Sequence, residues 1–354
     1  MSRAFIAIPK TGEVIFGINS NRTKGEVEEV VYQKAAEQTE AKLKCTYTEI
    51  DSSNETTIPV ILAKPGWAWG ATSGANAKGV AAGVIWQNGY GGFNVDDSSS
   101  NLVPIDFVRL CLERSESSER AIDVISKLLE TYGPDNSSSQ ASYFISDCNQ
   151  AWLLNTAGKL WAAQLLSSGL SKITSGLSIK QIDKCDEGNQ DKLSEFWPSD
   201  GSALLTEDIE NSFSLTDMFS VLRDKQKEAF IGQENDPATQ NSHVSTLSQD
   251  ALCCHWFTAT PDPSISVFKP FIFTPNAVVS PLTVCKKQDD GSFMHGLYKL
   301  HSVGALGKSL EMLKDMETCC VQEVQQFIAS DSNINPELDE LMKDCVEAEV
   351  KFYR

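Results

Sequence analysis

A serine at position 2 is the first residue of this chain that could do chemistry. If Met1 were removed, Ser2 would present a hydroxyl nucleophile and, on the same residue, an α-amine whose reference pKa lies near ~8. An amine of that basicity can take up the hydroxyl proton as the oxygen attacks an amide carbonyl. Ser2 is therefore a candidate catalytic residue for amide hydrolysis. The alternative is that the chain begins with serine for no catalytic reason.

A second candidate is Asn76, which lies in the pattern Gly74-x-Asn76-x-x-Gly79. Glycines permit close approach of the backbone to a ligand. The asparagine amide can donate to the oxyanion that develops during acyl transfer, a bond whose loss typically costs ~3 kcal/mol. The alternative is a turn asparagine in the left-handed conformation. The residues by themselves leave both interpretations open.

The ten cysteines and four histidines indicate no further chemistry. The cysteines form no Cys-x-x-Cys pair and have no regular spacing, which predicts free thiols in a reducing compartment rather than a zinc cluster or a disulfide framework. His255 follows Cys254, but neighbours on a strand point to opposite faces, so these side chains are predicted not to meet. We expect no metal and no cofactor.

The segments that would position Ser2 and Asn76 are predicted strands. Two apolar runs, 4–8 and 14–16, flank a turn at 9–12 and predict a hairpin at the amino terminus. If Trp67 and Trp69 also lie on a strand, they share a face and either pack in the core or line a pocket. Further strands are predicted at 29–32, 43–50, 58–63, 80–86, 142–146, 151–154, 160–166, 253–260 and 266–273.

Helical spacing of apolar residues predicts a helix pair at 102–114 and 118–132, with Ser117 as the N-cap of the second helix and Gly133-Pro134 as its end. A third helix is predicted at 214–224. The tail is predicted to be helical from about 306 to 328, and Asn335-Pro336 begins a last helix that ends near Phe352. Loops are predicted at 89–100, 137–139 and 233–241, and the rest of 167–250 has no firm pattern. This order of elements predicts an α+β fold with mixed layers.

The composition limits the class of partner. A formal net charge of −18 argues against nucleic acid and anionic membrane surfaces as partners. The apolar run before the first turn is too short for a signal peptide, and no run approaches the ~18 apolar residues of a membrane helix. These features predict a cytoplasmic protein without a transmembrane segment.

Motifs along nearly the whole chain resemble the secernins, a cytosolic family similar to dipeptidase-type cysteine peptidases of the N-terminal-nucleophile superfamily. The segments that carry the resemblance include Phe16-Gly17-x-Asn19-Ser20-x-Arg22, Glu26-Val27-x-Glu29-Val30-Val31-Tyr32, Cys45-Thr46-Tyr47, Trp67-x-Trp69-Gly70-Ala71, Gly74-Ala75-Asn76-x-x-Gly79-Val80, Leu222-Arg223-Asp224-Lys225 and Ser266-Val267-Phe268-Lys269-Pro270-Phe271.

The resemblance implies a four-layer αββα N-terminal-nucleophile hydrolase sandwich. It implies a domain over residues 1–302 and a C-terminal helical extension over 303–354. It also implies an oxyanion-donor role for Asn76 and an association with regulated exocytosis. Asn21 and Arg22 would position the amine or a substrate carboxylate, and Asn19 and Trp69 would contact a small peptide or amide substrate.

The chain departs from the family pattern at the candidate site. Members taken to be active carry cysteine at the position of Ser2 and aspartate at the position of Arg3. They usually have lysine where Ile18 stands and often aspartate where Asn21 stands. An unactivated hydroxyl is a far weaker nucleophile than a thiolate, and N-terminal acetylation of Ser2 would abolish the amine base.

Two hypotheses follow from these residues. The first is a dipeptidase-type amide hydrolase with Ser2 as nucleophile and its α-amine as base. The second is a protein that keeps the sandwich but acts through its surfaces, for instance the C-terminal helices, on proteins of exocytosis or membrane traffic. The departures at the site favour the second hypothesis, and the family background favours the first.

Overall fold

The computed structural model describes residues 2–10, 13–86, 101–134, 140–173, 177–196, 204–209, 213–226, 229–304, 308–329 and 336–353. The strands are β1 (Arg3–Ile8), β2 (Val14–Arg22), β3 (Glu28–Gln33), β4 (Lys42–Lys44), β5 (Glu49–Asp51), β6 (Val60–Pro65), β7 (Ser73–Asn76), β8 (Ala81–Trp86), β9 (Gln140–Ser146), β10 (Ala151–Ala157), β11 (Leu160–Leu165), β12 (Gly169–Ile173), β13 (Lys184–Cys185), β14 (Leu204–Glu207), β15 (Ala238–Leu247), β16 (Cys254–Phe257), β17 (Lys269–Phe271), β18 (Lys286–Lys287) and β19 (Phe293–Met294). The α-helices are α1 (Pro104–Arg114), α2 (Ser118–Tyr132), α3 (Gln190–Phe196), α4 (Leu215–Leu222), α5 (Gly296–Gly304), α6 (Lys308–Ala329) and α7 (Leu341–Phe352).

Two large antiparallel sheets form the centre of the fold. The seven-stranded sheet has the order β14-β12-β1-β2-β15-β16-β17, and the eight-stranded sheet has the order β13-β11-β10-β9-β8-β7-β6-β3. In the first sheet, Ala4 of β1 pairs with Ile18 of β2 and with Ile173 of β12. The predicted amino-terminal hairpin is therefore confirmed, and β1 is an interior strand of its sheet.

Three cores separate four layers. The two sheets face each other across an inner core, α1 and α2 cover the outer face of the eight-stranded sheet, and α4 and α6 cover the outer face of the seven-stranded sheet. The strand β2 shows how alternating side chains make these layers. Phe16 and Ile18 pack in the inner core, whereas Ile15 packs between the seven-stranded sheet and the helices α4 and α6, in what we call the outer core. The expected α+β fold, a four-layer αββα sandwich, is confirmed.

Local signals set the ends of α2 where the sequence predicts them. The Ser117 hydroxyl accepts a hydrogen bond from the Arg120 N–H at 3.2 Å. At the other end Gly133 has φ +70°, a conformation that favours glycine, and its N–H donates to the Leu129 carbonyl. The N-cap and the glycine stop are both confirmed.

Two sequence predictions need correction. Residues 233–241 are not all loop, since β15 begins at Ala238 and lies next to β2 in the seven-stranded sheet. Residues 43–50 do not form one strand: β4 and β5 make a small hairpin in which the Cys45 N–H donates to the Thr48 carbonyl.

Trp67 and Trp69 lie in the turn between β6 and β7. They are not on a strand, so the alternation of a strand does not place them on one face. The predicted loops at 89–100 and 137–139, and residues 11, 12, 306, 307 and 335 of the predicted turn, tail and cap, lie outside the described residues.

The C-terminal helices pack against the sandwich. Met342, Val346 and Val350 of α7 belong to the inner core, and Val321 and Val324 of α6 belong to the outer core beside the seven-stranded sheet. The boundary at residue 302 stays a prediction. Among the described residues, no helix is both long and apolar enough to cross a bilayer.

Candidate active site

Ser2 lies immediately before β1, and it is buried, with 6 % of its surface exposed. Its hydroxyl oxygen accepts a hydrogen bond from the backbone N–H of Asn21 at 3.1 Å. Ala4 and Ile6 of the same strand pack in the inner core, so the alternation of β1 places Ser2 on the face between the sheets. Arg3 pairs with Asn19, and extending that register by one residue places Ser2 opposite Ser20.

A buried ion pair lies on the same face of β2. Arg22 Nε is 3.3 Å from Glu28 Oε1, and the two side chains are 4 % and 0 % exposed. The hydroxyls of Ser20 and Thr72 donate to the same carboxylate oxygen, at 2.7 and 2.5 Å. Burial raises the pKa of Glu28, and the Arg22 charge and the hydroxyl donors oppose that rise. Ser20 lies opposite Ser2 on the neighbouring strand β2, so the candidate nucleophile and this ion pair are on the same face of the sheet.

Glu28 is the residue that sequence reasoning missed. It stands at the unspecified position of the Glu26-Val27-x-Glu29 motif, between two glutamates that the motif names. The available signal was a pair of glutamates directly before the apolar residues Val30 and Val31 of β3, because a charged residue next to core positions is buried only with a partner.

Asn19 and Asn21 lie on the other face of β2. Both amide hydrogens of Asn19 are donated to the carbonyls of Leu222 and Ala229, at 2.9 and 2.8 Å, and its oxygen accepts from the Ser242 hydroxyl. The Asn21 side-chain oxygen accepts from the Thr239 hydroxyl. These side chains fix β2 to α4 and β15, so Asn21 contacts Ser2 through its backbone and Asn19 has no free amide hydrogen for a substrate.

Asn76 is fully buried and its amide is committed to structure. Its nitrogen donates to the carbonyls of Leu112 and Ser115, at 2.8 and 2.7 Å, and its oxygen accepts from the N–H groups of Lys78 and Val80, both at 3.0 Å. The side chain therefore ties the β7–β8 turn to the C-terminal end of α1. Donation to an oxyanion would require one of these two carbonyls to lose its partner. The positive φ of the turn, +77°, belongs to Gly79.

We expect the substitution Asn76→Ala to lower the free energy of unfolding by about 3 kcal/mol, because it leaves two carbonyls at the end of α1 and two N–H groups of the β7–β8 turn without their side-chain partner. Urea unfolding would measure the loss. Asn149→Ala, a change at an exposed asparagine, is the matched control and should stay within about 0.5 kcal/mol of wild type. A loss below about 1 kcal/mol for Asn76→Ala would contradict the structural role.

Trp69 lies in a different layer from Ser2. Its half-buried ring packs against the core under α1 and α2, and the Arg109 guanidinium carbon lies 4.1 Å from the ring centroid. Arg109 also donates to the Trp69 carbonyl at 2.9 Å and pairs with Glu113 at 2.8 Å. Together with Leu43 these residues line a cavity of about 310 Å³ beside the β4–β5 hairpin. Trp69 therefore lines a pocket, but on the outer side of the eight-stranded sheet, whereas Ser2 faces the inner side.

The predicted separation of His255 and Cys254 is confirmed. Cys254 packs in the outer core, while His255 Nδ1 lies 2.8 Å from the Ser245 hydroxyl. His243 Nε2 lies 2.8 Å from the same hydroxyl, and His243 Nδ1 lies 3.2 Å from the Ser73 hydroxyl on the facing sheet. Both imidazoles are fully buried, so this hydrogen-bonded chain joins the sheets inside the core.

The profile of Peptidase family C69 matches residues 29–232. The structure of penicillin V acylase from Agrobacterium tumefaciens is similar at 14% sequence identity, with a TM-score of 0.45, over 78% of this chain and 87% of that chain. A variant of conjugated bile acid hydrolase from Clostridium perfringens is similar at 13% identity, with a TM-score of 0.43, over 77% of this chain and 97% of that chain.

Proposed function

The chain belongs to Peptidase family C69, and from this premise we propose that it is a secernin-like protein of the cytoplasm whose peptidase site has weak or no hydrolase activity. The main support for the proposal is that residue 2 is a serine. Ser2 offers a hydroxyl whose oxygen already accepts a backbone hydrogen bond, and a hydroxyl without a neighbouring base is a far weaker nucleophile than a thiolate. The commitment of both Asn76 amide hydrogens to backbone carbonyls supports the same conclusion.

The role that remains for such a protein is a binding role. The secernin motifs support an association with regulated exocytosis, and the partners would be proteins of secretion or membrane traffic. The formal net charge of −18 supports protein partners over anionic lipid surfaces, which it would repel.

An amide hydrolase is the second candidate, and one observation favours it. Ser2 is held on the face between the sheets, opposite Ser20 and on the same face as the buried pair of Arg22 and Glu28. These polar side chains could stabilise charge that develops during a reaction at Ser2. If Met1 is removed and the new amine stays free, that amine could act as the base for Ser2. The substrate class would be small peptides or other amides.

The experiment that separates the two candidates is dipeptide hydrolysis by wild-type protein and Ser2→Ala, after an intact mass of the protein from its own cells has shown whether Met1 or an N-terminal acetyl group is present. We expect equal, background-level rates for both proteins. Ser302→Ala, a change at an exposed serine of α5, controls for handling. A rate for Ser2→Ala that is about 100-fold below wild type would overturn the proposal in favour of the hydrolase. Measurable turnover by Ser2→Cys would add that the pocket still supports a better nucleophile.

The binding role has its own test in permeabilised secretory cells. Added wild-type protein and Ser2→Ala should raise calcium-triggered release to the same extent, because the proposed role does not use the hydroxyl. Stimulation by wild type alone would show that the role depends on Ser2 chemistry.

A further inference from the structure

Two thiols of the C-terminal helices are in contact. Cys320 Sγ of α6 lies 3.5 Å from Cys345 Sγ of α7, and both cysteines are free and partly buried. The contact joins positions that are 25 residues apart in sequence. The helix α6 packs outside the seven-stranded sheet, whereas α7 packs mainly into the inner core and only its first residue, Leu341, reaches the core beside α6.

We propose that Cys320 and Cys345 form a reversible disulfide when the cell's peroxide level rises, and that this bond fastens α7 to α6. The sulfurs need to approach by about 1.5 Å to reach bonding distance. A movement of that size is within reach of two side chains and small helix shifts. The inference is independent of whether Ser2 hydrolyses amides.

The surroundings of the pair favour one thiol as the attacking group. The hydrogen bond from Cys320, and then the positive charge of Lys269, lower the pKa of the Cys345 thiol against the effect of burial. The same contact raises the pKa of Cys320. At the fully buried Cys111 and Cys254, burial raises the thiol pKa, which suppresses the reactive thiolate there.

The chemistry is balanced with hydrogen peroxide as the oxidant. The Cys345 thiolate attacks one peroxide oxygen, so an S–O bond forms, the O–O bond breaks, and the leaving hydroxide takes up a proton to become water. Cys320 then loses its proton and attacks the sulfur of the sulfenic acid, so the S–S bond forms and the S–O bond breaks, releasing the second water. Two thiols and one peroxide become one disulfide and two waters. A dithiol reductant reverses the reaction.

The disulfide would change how easily the carboxyl-terminal helix opens. Reduced α7 is held by its core side chains and by the buried pair of Lys269 and Glu349. A covalent link to α6 removes conformations in which α7 has left the sandwich, because it closes the chain between the two cysteines into a loop. Oxidation by peroxide would therefore increase the fraction of time that α6 and α7 stay packed together.

The test treats the full-length protein with stoichiometric hydrogen peroxide, blocks the remaining thiols under denaturing conditions and maps tryptic peptides. Trypsin separates the two cysteines, since Cys320 falls in residues 315–343 and Cys345 in residues 344–351. We expect these peptides to be linked in wild type and in Cys319→Ser, and not in Cys320→Ser. Cys319→Ser is the matched control because Cys319 is the exposed neighbour that shares the peptide. Loss of the link in Cys319→Ser, or oxidation elsewhere without it, would overturn the assignment.

Two physical readouts test the consequence. Oxidised wild type should melt about 5 °C above the reduced protein, and the α7 amides should exchange with solvent roughly tenfold more slowly. Both changes should reverse with dithiothreitol and should be absent in Cys320→Ser and Cys345→Ser. A linked protein with unchanged melting and unchanged α7 exchange would contradict the fastening role even though the disulfide forms.

Discussion

Replacing Lys269 with methionine will lower the free energy of unfolding by about 4 kcal/mol. Lys269 and Glu349 are both fully buried, and Lys269 Nζ lies 2.6 Å from Glu349 Oε2. The lysine also donates to the Val267 carbonyl, and the Tyr353 hydroxyl donates to the other oxygen of Glu349. Removing the cation leaves a buried carboxylate without a counter-charge, which is the costly outcome for a buried pair. Urea unfolding at neutral pH would measure the loss.

The chain offers a matched control with the same distance and a different burial. Lys42 Nζ also lies 2.6 Å from Asp51 Oδ1, but the side chains of Lys42 and Asp51 are 57% and 71% exposed. Lys42→Met should be indistinguishable from wild type, because exposed pairs are screened by water. The double variant Lys269→Met with Glu349→Leu should regain part of the loss, since it removes the orphaned charge. A small effect of Lys269→Met, comparable to that of Lys42→Met, would show that burial does not govern this pair.

Acidification from pH 7 to pH 5 will destabilise the protein by several kcal/mol. Burial lowers the pKa of all four histidines: that of His243 well below its usual range, that of His255 to about 3, and those of His295 and His301 to about 4. In the unfolded chain each imidazole titrates near ~6.5. Below that pH the unfolded state binds protons that the folded state does not, so stability is lost as pH falls.

Two buried carboxyls oppose this trend. Burial raises the pKa of Asp106 to about 6, so near pH 5 the folded state holds a proton there that the unfolded state releases. Burial also raises the pKa of Glu28, which acts in the same direction. Near pH 5 the four histidine protons of the unfolded state outnumber the carboxyl protons of the folded state, so the free energy of unfolding still falls as the pH falls.

Urea unfolding at pH 7, 6 and 5 would give the slope, and two variants test its origin. His301→Gln should flatten it by ~1.4 kcal/mol for each pH unit, because one proton of the unfolded state is removed. Asp106→Asn should steepen it, because an opposing proton of the folded state is removed. A free energy of unfolding that is constant between pH 7 and pH 5 would contradict the prediction.

The strand β15 shows why part of the fold was not predictable. Its sequence, Ala-Thr-Gln-Asn-Ser-His-Val-Ser-Thr-Leu, lacks the apolar alternation of a half-buried strand, although every residue in it is buried. Its polar groups find partners on other elements: Ser242 bonds to Asn19 and His243 to Ser73. A polar side chain can be buried when it is hydrogen-bonded, and those bonds span long sequence separations.

At the candidate site, too, the sequence showed individual residues but not the groups that they contact. Asn76 stands out in its glycine pattern, but Leu112 and Ser115, the acceptors that occupy its amide, are 36 and 39 residues further along the chain. For Trp69 the sequence left open whether it packs in the core or lines a pocket, and the packing of α1 places it beside a pocket on the outer side of its sheet. The sequence shows a glutamate at position 28 next to core positions, but only the fold places Arg22 and Ser20 beside it.

By itself the sequence determined the features that depend on neighbouring residues or on whole motifs: the hairpin that carries Ser2, the ends of α2, the α+β class and the family. The tertiary structure alone decided which atoms Ser2, Asn19 and Asn76 contact, and which charges are buried together. The physical reason is that propensity, capping and alternation act over a few residues, whereas a hydrogen bond inside the sandwich joins strands and helices whose order in space differs from their order in the chain. The sequence therefore made Ser2 a candidate, but it did not show which groups surround it.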